Sequence, residues 1–224
     1  MSPYPKLCMM VLLGLAANPA FALPEKAYQN CAALSKTAAS EALAMAESWL
    51  QEAYSPQAEH CRALSLFALK DYEEAAKALE HVFTQTPPAE MALSVNLLRQ
   101  AARAWALAGN TERAGQRYAR ALALLQKQRK ASPLTHRLLA ETLLENGEFL
   151  ASQDKPYDAL QFMDQAVALN VLGERALVAR AALLLSMGQK DMAQADAEAA
   201  LRLAPQSLEA QQILKEIVSH PATK

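Results

Sequence analysis

Glu141, Glu145 and Glu148 stand four and three residues apart, a spacing that places three carboxylates on one face of a helix. Grouped carboxylates are the equipment of general acid and base chemistry, and a hydrolase of cell-wall material using Glu141 or Glu145 as its acid is the catalytic reading they allow. A solvated or partner-facing charged stripe explains the same spacing with fewer assumptions. His60 beside Cys61 raises the question of a metal, but no second ligand pair follows at a recognisable spacing. His81, His136 and His220 are scattered, no serine occupies a nucleophile elbow, and Gly109 to Gly115 lacks the Gly-Lys-Ser/Thr ending of a phosphate loop. The sequence therefore reads as non-enzymatic, with no metal and no cofactor.

The thiols carry the clearer chemistry. Met1 to Ala22 has the parts of a secretory signal peptide: Lys6 as the basic region, Leu7 to Ala17 as the apolar core, and Ala20-Phe21-Ala22 as an A-x-A cleavage site. The apolar run is short for an uncleaved anchor, which needs about 20 residues. Neither Cys8 nor Cys31 follows a lipid-attachment motif. Cleavage would remove Cys8 and leave Cys31 and Cys61, and an even count in an oxidising compartment favours one disulfide over two buried thiols. The short leader and alanine-rich cleavage region point to the bacterial periplasm.

Composition excludes other classes. Lys and Arg total 22 against 23 Asp and Glu, for a formal net charge of −1, so there is no electrostatic footprint for nucleic acid. With 52% apolar residues and 6 Gly, residues 23–224 can bury a continuous core as one domain. Apolar residues recur with helical period nearly everywhere, and strand signals are absent.

The elements that must position these groups come from a repeated phrase. A small residue and a large apolar one are followed by a polar turn, then by an alanine with partners four and seven residues on. The copies are Ala63, Leu66, Ala75, Leu79, Val82; Ala102, Trp105, Ala114, Tyr118, Ala121; Gly147, Leu150, Ala159, Met163, Ala166; and Ala181, Leu184, Ala193, Ala197, Ala200. Two amphipathic helices of this length cannot bury their apolar faces alone, so neighbouring copies must stack into a solenoid with a concave surface.

With its spaced small residues, its turns such as Ala108-Gly109-Asn110, and the closing prolines Pro87 and Pro205, the phrase resembles the tetratricopeptide repeat family. The resemblance covers about residues 25–219 and implies an all-α, α-α superhelix. Four clear helix-hairpin repeats are expected (about 56–89, 95–130, 140–172 and 174–205), with a degenerate first repeat at about 25–55 carrying Ala42, Ala46 and Trp49. A capping helix at 206–219 would cover the last repeat with Leu208, Ile213, Leu214 and Ile217. Cys31 and Cys61 would then lie on the first helices of successive repeats. Two intervals are long, by about 5 and about 11 residues against the usual 34. The second excess implies either an overlong helix over Glu112 to Lys130, stopped by Ser132-Pro133, or an ordinary loop insertion.

In that family the first helix of each repeat lines the inner surface. Carried over, the resemblance implies a groove bearing Gln57, His60, Leu64 and Phe67; then Asn96, Arg99, Gln100 and Arg103; then Glu141, Leu144, Glu145 and Glu148; then Arg175, Val178, Ala179 and Ala182. Members that clamp a terminal carboxylate use lysine, asparagine and arginine at places held here by Glu141, Glu145 and Leu64, so that ligand is not expected. A partner segment with an acidic part facing Arg99 and Arg103 and a basic part facing Glu148 is expected instead; mutual pairing of these side chains across neighbouring helices is the alternative. On the first view, reversing Arg99 and Arg103 abolishes capture without changing the melting temperature. The implied function is a non-catalytic protein or peptide interaction module of the cell envelope, with an accessory subunit of a secretion, pilus or cell-wall assembly as the alternative. No membrane span is expected after cleavage.

Overall fold

The computed structural model describes residues 25–127 and 132–219. The leader expected at 1–22 lies outside the described residues. Eleven helices and no strand occur among the described residues: α1 (Glu25–Leu34), α2 (Ala39–Glu52), α3 (Pro56–Ala68), α4 (Tyr72–Gln85), α5 (Met91–Leu107), α6 (Thr111–Gln126), α7 (Pro133–Ser152), α8 (Pro156–Ala168), α9 (Glu174–Ser186), α10 (Lys190–Leu203) and α11 (Leu208–Ser219). Each odd helix packs on the even one that follows it, and each even helix on the next odd one, so five hairpins stack in chain order beneath α11.

The repeated phrase specifies the turn inside each hairpin. Leu66, Trp105, Leu150 and Leu184 each offer a carbonyl to the backbone N–H five residues on, at Asp71, Asn110, Lys155 and Gln189, over 2.9–3.1 Å. This is the long bond of a Schellman ending, and it places the preceding residue in the left-handed region. Lys70 (φ 66°), Gly109 (φ 81°), Asp154 (φ 56°) and Gly188 (φ 75°) occupy that place, each five residues before its repeat's key alanine. Helix starts are signalled separately. Ser55 and Ser132 accept bonds from the backbone N–H of Ala58 and Thr135, with a proline in the first turn of α3 and α7, and Asn110 caps α6 through Arg113 N–H.

Packing turns the small residues into a register. Ala75, Ala114, Ala159 and Ala193 all have zero exposure, and so do Ala63, Ala102 and Ala181. Gly147 takes the corresponding place in the fourth hairpin, where an added Cβ would lie 2.8 Å from Met163 Cγ and 3.1 Å from the Ala159 carbonyl oxygen. Larger residues there would push α7 off α8.

Cys31 and Cys61 form a disulfide with Cα atoms 6.1 Å apart, in a small core with Ala42 and Ala46 that joins α1 to α3. At the other end Ile213 is buried, with Leu214 and Ile217 half-buried beside Ala181 and Ala197. Leu208 does not join them: it opens α11 and is 74% exposed.

The extra residues of the second interval do not prolong α6 to Lys130. α6 stops at Gln126, and the surplus lengthens the first helices of the next repeats, α5 to 17 residues and α7 to 20. Ser132-Pro133 starts α7 rather than stopping α6, because serine can cap and proline needs no N–H donor at the first helical position. The third and fourth repeats accordingly begin at Met91 and Pro133, before the expected 95 and 140.

Candidate functional site

The expected groove residues fall on the first helices α3, α5, α7 and α9, which the structure sets side by side. His60 Nδ1 meets the Tyr28 hydroxyl at 2.7 Å and His60 Nε2 meets Gln100 Oε1 at 3.1 Å, tying α1, α3 and α5 together. With the imidazole neutral, the hydroxyl donates to Nδ1 and Nε2–H donates to the amide oxygen. Burial pushes His60 below its ordinary value, with the Gln100 bond opposing. Leu64 is half-buried on α3. Phe67 packs edge-on against Tyr72, and the Arg103 guanidinium lies over its ring at 5.4 Å.

Arg99 is not free for a partner. Its Nε donates to Glu145 at 2.9 Å, and Nη1 donates to Glu141 at 2.8 Å and to Asn96 at 3.1 Å; Arg137 bonds the other oxygen of Glu141 at 3.0 Å. This network joins α5 to α7 across 42 and 46 residues of sequence. Burial works to raise the Glu141 carboxyl, but its bonds from Arg137 and Arg99 outweigh that and hold it below the ordinary value. Arg99 is thus a structural clamp, and a change in capture without a change in melting is no longer the expected outcome of reversing it.

Beyond the clamp, the surface opens into a cavity of about 390 Å³ between α5, α7 and α9, lined by Arg103, Tyr118, Glu145, Glu148, Phe149 and Arg175. Loss of solvation in these walls pushes the Glu148 carboxyl up, Glu145 adds to this, and Arg175 and Arg103 oppose it. Neither Arg103, Glu148 nor Arg175 forms an ion pair among the described residues. Tyr118, buried and raised by burial with help from Glu145 and Glu148, keeps its proton and presents a neutral hydroxyl. Phe149 packs against it at 5.6 Å between ring centroids. Tyr118 comes from a second helix and Phe149 reads as ordinary core, so periodicity did not single out either as lining a cavity.

A second set of missed residues joins the even helices to their neighbours. Glu80 accepts from Trp105 Nε1 at 2.6 Å and pairs with Arg117, while Arg180 bridges Asp164 at 2.8 Å and Asp196 at 2.7 Å. Glu80 and Asp164 stand five residues after their repeat alanines, Arg117 and Asp196 three after theirs, so one pair of places joins adjacent hairpins twice. Among the described residues no group of three or more His, Cys, Asp and Glu is placed to hold a metal ion, and no helix is long and apolar enough to cross a membrane.

Stacked hairpins with nested alanines and a curved first-helix face define a tetratricopeptide-like solenoid, a class of scaffold consistent with protein–protein interaction. The chain belongs to the ChAPs family, the Chs5p-Arf1p-binding proteins, whose profile matches residues 69–220. Similar solved structures include a thermophilic tetratricopeptide protein of Thermus thermophilus (24% identity, 85% of this chain and 99% of that one, TM-score 0.56). They also include Pseudomonas aeruginosa pilF (18%, 84% and 82%, 0.55) and Bacillus thuringiensis PlcR in complex with the peptide PapR7 and DNA (13%, 87% and 74%, 0.59). At these identities the likeness is one of fold. No curated protein matches the sequence significantly.

Proposed function

We propose that the chain is a non-catalytic interaction module of the bacterial periplasm, holding a segment of another protein across the first-helix face. The observation that carries this reading is the cavity between α5, α7 and α9, where two arginines and a glutamate stand without ion-pair partners among the described residues around an aromatic floor. Arg99 is satisfied internally, so the groups left for a ligand are Arg103, Arg175 and Glu148. A segment carrying both an acidic and a basic residue complements them, and charges at such a surface set register and association rate more than affinity. Membership of a family named for binding two other proteins supports the interaction class and leaves the partner open. The signal-like residues 1–22 and the Cys31–Cys61 bridge support an oxidising compartment.

Crosslinking and affinity capture from the native compartment test this reading. Arg103→Glu with Arg175→Glu should lose the protein captured by the unaltered chain while melting at the same temperature, since both side chains are exposed. Capture that persists would remove the groove assignment. Recovery of the chain from the cytoplasmic fraction with Met1 to Ala22 attached would remove the compartment.

A further inference from the structure

A second cleft lies away from the first-helix groove, where the C-terminal ends of α4 and α6 meet the start of α5. It encloses about 560 Å³. Phe83, Pro88, Met91 and Leu124 supply its apolar walls, and Arg120 and Lys127 supply its only charges among the described residues. Pro88 lies in the connection between α4 and α5, and Met91 opens α5.

Three features of the cleft ask for one kind of ligand. Its cations are unspent: no carboxylate pairs with Arg120 or Lys127 among the described residues, and Arg120 is held in place by lying over the Phe83 ring at 4.5 Å. Its walls are mainly apolar and accept a bulky side chain. Its backbone is open as well. α4 ends at Gln85, and the residues whose N–H groups would cap the Thr84 carbonyl, three and four positions on, are Pro87 and Pro88, which carry none. Thr84 lines the cleft and is exposed, so water meets its carbonyl there and a ligand N–H can take that water's place.

We infer that this cleft docks an acidic peptide segment containing a bulky apolar residue, from a protein partner. The carboxylates would meet Arg120 and Lys127, the apolar side chain would fill the space between Phe83, Met91 and Leu124, and a peptide N–H would cap Thr84. An anionic lipid meets the first two demands through its headgroup and tails but brings no backbone donor.

Random peptides displayed on phage and panned on the full chain, with counter-selection on an Arg120→Glu, Lys127→Glu chain, test the inference. Both side chains are exposed, so the variant should keep its melting temperature. The expected selection is rich in Asp and Glu flanking Leu, Phe or Trp. The selected peptides, synthesised and measured by fluorescence anisotropy, should weaken about tenfold or more on the charge-reversed chain. The milder Lys127→Gln should weaken them less, and an Arg103→Glu, Glu148→Gln chain should bind them normally, which separates this cleft from the groove. Selection of basic peptides, absence of any peptide that discriminates the two chains, or loss of binding only in the Arg103 and Glu148 variant would overturn the proposal. So would phosphatidylglycerol vesicles that bind in an Arg120- and Lys127-dependent way while the peptides do not.

Discussion

Arg99 shows how far a residue's type can mislead about its role. On sequence it is a cation at a groove position; in the structure it is 11% exposed and faces two carboxylates, Glu141 at 18% and Glu145 at 22%. Removing it leaves two partly buried negative charges without their main counter-charge, and that loss outweighs the modest net worth of the intact pair. Arg99→Ala should therefore lower stability by about 2 kcal/mol, discounted for the solvent still reaching the cluster, as read by urea denaturation. An unchanged midpoint would mean that the clamp is ornamental. His60 gives a pH signature. Its folded value is depressed, so its contribution is present above the ordinary value of 6.5 and is lost as pH falls from there toward the folded value. The melting temperature should decline over that interval, and His60→Gln should flatten the decline. A profile unaffected by the substitution would remove His60 as its source.

At the scale of the helix hairpin, four turns solve one geometric problem with different residues. Gly109 and Gly188 adopt positive φ without a Cβ penalty, whereas Lys70 and Asp154 hold the same conformation at a cost of about 1 kcal/mol each. Lys70→Gly should therefore stabilise the chain by up to about 1 kcal/mol, because the turn's strain falls while its bonds persist. Gly188→Ala should destabilise by a similar amount, even though an added Cβ meets nothing within 4 Å, because the penalty is in φ rather than in contact. Paired thermal melts check both, and the two shifts should have opposite signs.

For the whole molecule, stability is a chain of neighbour interactions, so the first hairpin is the exposed end of the row. α1 has only 10 residues, and its connection to the rest runs through the disulfide, the Tyr28–His60 bond and the core of Ala42 and Ala46. Closing the bridge constrains a sequence separation of 30 residues, worth about 3–4 kcal/mol in the chain-entropy view. Reduction should raise amide hydrogen exchange in α1 and α2 while α7 to α10 keep their protection. Uniform loss across the chain would show one cooperative unit instead of a stack that opens from its end.

The amino-acid order by itself determined the hairpin count, the nesting alanines and the position of the turns, because these rest on local periodicity and on residues at fixed offsets; it favoured a Cys31–Cys61 bridge by cysteine count alone, and the fold decided it by bringing the two Cα atoms within 6.1 Å. Helix ends were less legible around residues 86–91 and 126–133, since proline both stops one helix and starts another and only the neighbouring cap decides which. Tertiary structure alone decided which charges are spent. Arg99 with Glu141 and Glu145, Glu80 with Arg117, and Arg180 between Asp164 and Asp196 are partners brought together by stacking, and no short window of sequence holds both members of those pairs. Arg103, Glu148 and Arg175 on one face and Arg120 and Lys127 on another form no ion pair among the described residues, and only the stacking decided that, because it alone determines which opposite charges come within reach.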